Sequence, residues 1–471
     1  MAKEKLRKVA NNSLVKSLEK RKGKKLQQTL NFDSLVKKLH EAIETFPDNR
    51  KGTNLSKDFK NAALGGFAIF YTQSPSFLAY QRTMQETSGQ NNAQSLFGIT
   101  EILSDNHIRK LLDGVAPSYA FPLFSYIFDS LNKSGYLDAQ YRSFNNNILL
   151  GLDGTQYYSS SNVYCDNCNQ KHHKNGNITY FHSILTPVIL KPGSNRVIAL
   201  APEFITPQDG EEKQDCENAA AKRWLRAKGS WLKQLGVTIT ADDLYCKPPL
   251  CELMLKEGVD FILVCKEESH KTLYEYVELQ KEDIRTVKVS RWEGKHYLVD
   301  TYRFINGVPL KDGDDALEVN WCELITRLED KEKNSSKVIY KNAFATNFEI
   351  TEKNVKQIVA DGRARWKVEN ENNNVLKNKG YHLEHNFGHG KENLAALFAT
   401  FNILAFLFHT VLELVDEKYK LIRQTLPSRE TFFQDIRALT RYLYFDRWET
   451  LMRFMIIGLK EQLHMIPLPD T

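Results

Sequence analysis

Residues 148–152 (ILLGL) form an unbroken apolar run that stops at Asp153-Gly154. A run without polar alternation suits a strand covered on both faces, and so points to an α/β arrangement. Further strand-like runs follow at 178–190 (ITYFHSILTPVIL), 196–201 (RVIALA), 236–241 (GVTITA) and 259–265 (VDFILVC). Lys191-Pro192-Gly193-Ser194-Asn195 is a hairpin-type turn, so the first three runs suit an antiparallel meander. A charged helical stretch at 211–234 and a helix near 248–257 separate the later runs, which suits parallel crossovers. The expectation is a mixed five-stranded α/β sheet.

Both flanks read differently. Leu35, Leu39 and Ile43 recur at i, i+4 and i+8 over residues 32–45, one face of a helix. Ser104-Asp105 is a capping signal for a short basic helix ending near Gly114. Residues 266–345 break the α/β rhythm with strand-like pieces at 285–290, 295–305 and 316–321, and Ser335-Ser336 reads as a loop. Thr351 caps a long helix expected to run to about Leu376. The expected division is a helical N-terminal DNA-binding region at 1–144, a core at 145–265, a β-rich insertion at 266–345, the rest of the core at 346–415 and a helical C-terminal region at 416–471.

The net charge of +6 is uneven: residues 1–50 carry 13 Lys/Arg against 6 Asp/Glu, leaving the remainder near neutral. The first 25 residues read as a basic helical arm suited to phosphate contact. Seven cysteines, scattered from Cys165 to Cys322, do not form a secreted disulfide framework, and no apolar signal core follows the charged N-terminus. A reducing cytoplasm is the expected location. Residues 393–412 lack charge over 20 positions, but Asn393, Asn402 and His409 within them favour a helix buried in a protein core over a membrane span.

Three acids stand where active-site acids of an α/β sheet usually stand. Asp153 ends the first strand, Asp242 ends the fourth, and Glu369 lies on the helix after the insertion. Hard cations such as Mg²⁺ take oxygen ligands, and two of them can bind the attacking and leaving oxygens of a phosphoryl displacement. Asp243 is the alternative to Asp242, and Glu371 and Glu384 are rivals to Glu369. Any one acid at a strand end is more often a turn former or cap.

Four strings resemble the DDE transposases of bacterial insertion sequences, in the subgroup with a β-strand insertion before the last acid. They are ILLGLDGTQYYSS around Asp153, TITADDLY followed by DFILVCKEESHK around Asp242, RWKVE ending at Glu369, and EVNWCELIT around Trp321. The resemblance covers roughly residues 145–410. It implies an RNase H-like core and metal-dependent cutting of transposon ends. Joining to target DNA by transesterification follows, by a homodimer on DNA. Asp153, Asp242 and Glu369 would hold two Mg²⁺ or Mn²⁺ ions, Arg365 and Lys377 would contact phosphate, and Trp321 would hold a flipped base. Relatives carry a Tyr where Gly362 stands, and their later basic residue aligns with Leu376, one before Lys377. A catalytically inactive DNA-binding descendant and an RNase H-like nuclease without strand transfer are the alternatives.

Cys165-Asp166-Asn167-Cys168, with His172, His173 and His182 nearby, has the composition of a structural Zn²⁺ site, with Cys165, Cys168, His172 and His182 as its ligands. Residues 380–391 (GYHLEHNFGHGK) read as a Gly-rich break before the apolar helix, or as a turn that contacts DNA.

Overall fold

The computed structural model describes residues 23–48, 50, 55–207, 213–294, 296–330 and 335–459. Almost all of the expected basic arm lies outside the described residues. After a helical stretch at 23–29, seven helices follow: α1 Phe32–Ile43, α2 Leu55–Tyr71, α3 Phe77–Met84, α4 Thr87–Phe97, α5 Asp105–Leu112, α6 Phe121–Lys133 and α7 Tyr136–Gln140. As the spacing predicts, Leu35, Leu39 and Ile43 form the buried stripe of α1. Ser104 caps α5 by accepting from the His107 N–H.

Thirteen strands follow among the described residues. β1 (Ile148–Gly151), β5 (Val188–Leu190), β6 (Ile198–Ala199), β8 (Val237–Ala241) and β9 (Asp260–Val264) form the middle of a mixed nine-stranded sheet. β2 (Gly154–Ser160), β3 (Asn169–His172), β4 (Ile178–Leu185) and β7 (Glu203–Ile205) form a smaller sheet. β10 (Arg285–Glu293), β11 (His296–Pro309), β12 (Glu318–Asp330) and β13 (Ser335–Thr346) extend the large sheet in the order β10-β11-β12-β13-β9-β8-β1-β5-β6. β1 runs parallel to β8 and β8 parallel to β9, while β1–β5 and β5–β6 are antiparallel. The fold is therefore α/β, as the apolar runs predict.

Three details differ from the sequence reading. First, the run 178–190 is two strands, not one. It breaks at Thr186-Pro187, where proline cannot donate to a ladder and the Thr186 N–H turns to the Asp153 carbonyl. The chain changes sheet there, and it changes sheet again at Asp153: Gly151 pairs with Val188 in the large sheet, while Gly154 pairs with Leu185 in the small one. Second, the β-rich segment continues the core sheet through β13 against β9, and Ser335 and Ser336, expected in a loop, pair with Asp330 and Glu329. Third, the expected long helix is interrupted. α11 (Val355–Arg363) ends in a turn, a π-helical turn spans Val368–Asn373, and α12 (Asn374–Asn378) resumes.

The remaining helices are α8 (Lys213–Leu235), α9 (Pro248–Lys256), α10 (Lys271–Leu279), α13 (Leu394–Val415), α14 (Glu417–Thr425), α15 (Arg429–Tyr442) and α16 (Trp448–Gly458). α13 is the one helix among the described residues long and apolar enough to cross a membrane, and it is buried along nearly its whole length against protein. Phe32 of α1 stacks on Trp448 of α16 with centroids 4.4 Å apart, and Tyr71 packs beside both. The N- and C-terminal helices thus share one core.

The π turn reaches β1 because position 151 has no side chain. A Cβ there would lie 2.2 Å from Val368 Cγ2 and 2.6 Å from Leu190 Cδ2. Gly151→Ala is expected to cost about 1–3 kcal/mol through overpacking. Gly458→Ala, where a Cβ meets nothing within 4 Å, is expected to stay within about 0.5 kcal/mol. Chemical denaturation of the two variants distinguishes them.

Candidate functional site

Asp153 and Asp242 stand side by side because their strands do. In the parallel register Gly151 lies opposite Thr240, and each acid follows two residues later. The Leu152 N–H donates to the Thr240 carbonyl at 3.1 Å, which carries the pairing up to the acids. The Asp153 main-chain carbonyl accepts from the Thr186 N–H at 2.9 Å and its hydroxyl at 3.0 Å. This fixes Asp153 at the point where the two sheets part.

Glu369 arrives on the π turn. Val368, one residue earlier, sits against β1 over Gly151. Asn373, at the end of the same turn, donates to Asp153 Oδ2 at 2.7 Å and accepts from the Thr186 hydroxyl at 3.0 Å. A π turn inside a helical segment is often found at a functional position. Here it aims the Asn373 amide at the strand end, while Glu369, at the start of the same turn, is exposed.

A fourth carboxylate, Glu217 of α8, was not singled out by the sequence. It is buried, accepts from the Gly154 N–H at 3.1 Å and accepts from the Tyr245 hydroxyl at 2.8 Å. A Cβ on Gly154 would lie 2.2 Å from Glu217 Oε2, so the Asp-Gly pair admits this carboxylate. The available signal was a Glu on the apolar stripe of Ala220, Ala221, Trp224 and Leu225.

Burial, then Glu217 and Asp242, push the Asp153 carboxyl up to about 7; Arg365 opposes them and Glu369 adds to them. Burial also raises Asp242, against the Leu244 N–H and Arg365. Arg365 thus acts electrostatically on both aspartates. The carboxylates are gathered without closing on one another. Among the described residues, two groups of Cys, His, Asp or Glu have ligand atoms all within 4.8 Å, and neither includes these acids.

Asp243 has a different task. Burial would raise its carboxyl, but hydrogen bonds from His270, Ser269 and the Lys266 N–H hold it at about 2. Lys377 is ion-paired to Glu384 at 2.8 Å. Trp321 does not offer an open face: it is 1% exposed, edge-on to Tyr274 and 5.9 Å from the Arg303 guanidinium. It forms the floor of a cleft of about 410 Å³, beside buried Glu323, which pairs with Arg303 at 3.0 Å and Lys341 at 3.1 Å.

The Cys/His expectation needs one correction. Cys165, Cys168 and His182 come together, and the fourth member is His389, not His172. His172 lies exposed at the far end of β3, paired with Ile178. Four extended residues carry it roughly 13 Å from Cys168. His389 comes from the Gly-rich stretch before α13. Burial pushes the Cys168 thiol up to about 12 and His182 down to about 4. These four residues could hold a metal ion. A second buried set, Cys246, Cys265 and His270, offers three ligands, with His270 Nε2 3.2 Å from Asp243.

The raised Asp153 has a stability consequence with a definite sign. Its folded pKa lies above the ordinary carboxylate value, so the folded state holds the proton more tightly. Its effect is absent below about pH 4, and destabilisation grows as pH rises to about 7 and is complete above. Asp153→Asn is expected to raise the metal-free melting temperature at pH 8 by roughly 2–5 °C and to leave it nearly unchanged at pH 4. Equal shifts at both pH values in a thermal melt would contradict this cause.

No protein-family model matches the chain, and a search of curated proteins finds no relative.

Proposed function

We propose that this protein is a DDE transposase, cutting transposon ends by metal-dependent phosphodiester hydrolysis and joining them to target DNA by transesterification. The observation that carries the reading is that Asp153 and Asp242 follow the adjacent ends of two parallel strands, with Glu369 and Arg365 near enough to act on the Asp153 carboxyl. The strand order β6-β5-β1-β8-β9, with three antiparallel strands followed by two parallel ones, supports an RNase H-like core. The β-rich segment between Asp242 and Glu369 supports the insertion-bearing subgroup.

The donor set suits hard divalent cations: carboxylate oxygens, partly buried and short of neutralising charge. Asp153, Asp242 and Glu369 would hold two Mg²⁺ or Mn²⁺ ions. When bound, these supply a water of lowered pKa and stabilise the leaving 3′ oxygen. Asn373 holds one Asp153 oxygen, which leaves the other free to bind. Glu217 is held against Gly154 and Tyr245 by hydrogen bonds to its carboxylate. Arg365 acts electrostatically on both aspartates and would orient the scissile phosphate. The partner is double-stranded DNA, bound by a homodimer, with the N-terminal helices as the further DNA contact.

A nicking and strand-transfer assay on the inverted repeats flanking the gene tests this. Asp153→Ala, Asp242→Ala and Glu369→Ala are each expected to lose about 10³-fold or more. Glu371→Gln is expected to stay near wild type. Mg²⁺-dependent nicking without strand transfer from a precleaved end would reduce the reading to a nuclease. Absence of both would remove it.

A further inference from the structure

We infer that Cys165, Cys168, His182 and His389 bind one structural Zn²⁺ that clamps the hairpin leaving Asp153 to the segment following the Glu369 turn. The zinc assignment stands on the four ligands; only its effect on the acids rests on the transposase reading.

Five of the six edges between the ligand atoms match a tetrahedron, and the sixth, Cys165 Sγ to His389 Nε2, is within 4.8 Å. The two Sγ atoms are 3.9 Å apart, His182 Nε2 lies 3.6 Å from Cys165 Sγ and 3.4 Å from Cys168 Sγ, His389 Nε2 lies 3.4 Å from Cys168 Sγ, and the two Nε2 atoms are 3.1 Å apart. Zinc bonds of about 2.3 Å to sulfur and 2.0–2.1 Å to nitrogen would set these edges near 3.8, 3.5 and 3.3 Å. Two thiolates and two neutral imidazoles also cancel the dication, so the buried centre carries no net charge.

The surroundings orient the donors. Cys165 and Cys168 bracket a tight turn in which the Cys168 N–H donates to the Cys165 carbonyl and the Cys165 N–H reaches Cys168 Sγ at 3.5 Å. His389 Nδ1 donates to the Gly390 carbonyl at 2.9 Å, which leaves Nε2 as the ligand atom. Tyr158 packs on both rings, its centroid 5.6 Å from His182 and 4.4 Å from His389.

The clamp joins parts far apart in the chain. His182 sits on β4, three residues before Leu185, which pairs with Gly154 beside Asp153. His389 lies between α12 and α13, in a segment also held by Arg109, which donates to the Phe387 carbonyl, and by Asp113, which accepts from the main chain of Lys391, Glu392 and Leu394.

Metal analysis of full-length protein purified without a His tag or chelator tests the inference. About one zinc per chain is expected in wild type and His172→Ala, and a small fraction in Cys168→Ser and His389→Ala. His389→Cys, which restores a zinc ligand, is expected to regain zinc; should His389→Ala prove insoluble, stronger thiolate charge transfer in cobalt-loaded His389→Cys than in wild type, from a third sulfur, carries the same conclusion, and unchanged charge transfer overturns it. Cobalt added to stripped wild-type protein should give tetrahedral bands with thiolate charge transfer. A folded wild type with far less than stoichiometric zinc, stoichiometric iron or copper in its place, or full zinc in His389→Ala would overturn it. Zinc-replete protein that fails to nick DNA with Mg²⁺ overturns the transposase reading alone. Zinc-free protein that nicks overturns the clamp alone.

Discussion

Mutual repulsion among the carboxylates around Asp153 is the constraint that the surrounding architecture answers. Asp153, Asp242, Glu369 and Glu217 come from two strands, a π turn and a helix, and Arg365 is a cation acting on both aspartates. Such a cluster does not assemble for its own stability. It is held by interactions that do not involve the charges: the parallel register of β1 and β8, the Val368 contact over Gly151, and the Thr186–Asn373 bonds. The scaffold contributes the free energy and the acids spend part of it.

The same constraint explains the interruption in the helix. A continuous α-helix from Thr351 would carry Val368 and Glu369 forward without the local turn that seats Val368 on β1. The turn after Gly362 and the i→i+5 segment re-aim the chain. Gly362 is itself pressed against the sheet, since a Cβ there would lie 2.6 Å from Phe344 and 2.9 Å from Ile262. A larger residue at 362, such as the Tyr of the resembling family, would need this packing to open.

Much of this was legible because strand ends announce themselves. ILLGL and GVTITA stop at acids, and the helix-linked order implies that those ends are adjacent in a parallel pair. What could not be read is what depends on chain segments meeting across long separations. Glu217 sits 64 residues after Asp153 on a helix whose charged composition hides one buried face. His389 lies 207 residues beyond His182, so local spacing favoured His172, which strand pairing carries to the exposed end of β3. Trp321 is aromatic and in a strand, as expected, but its burial depends on Tyr274 of α10 and Arg303 of β11. The break at Thr186-Pro187 was visible in principle: proline inside an apolar run argues against a single continuous central strand.

The donors of the two clusters differ in kind, and that difference would separate any ions they bound. Carboxylate oxygens suit hard cations that exchange and keep water, whereas thiolate and imidazole suit a borderline-soft ion held in a closed shell. The four Cys/His ligands leave a tetrahedral ion no open position, so zinc there would have no site for water or phosphate. The acids form no such closed set among the described residues. An ion at the first centre would organise the chain, and ions at the second would arrive with the charge that the carboxylates lack.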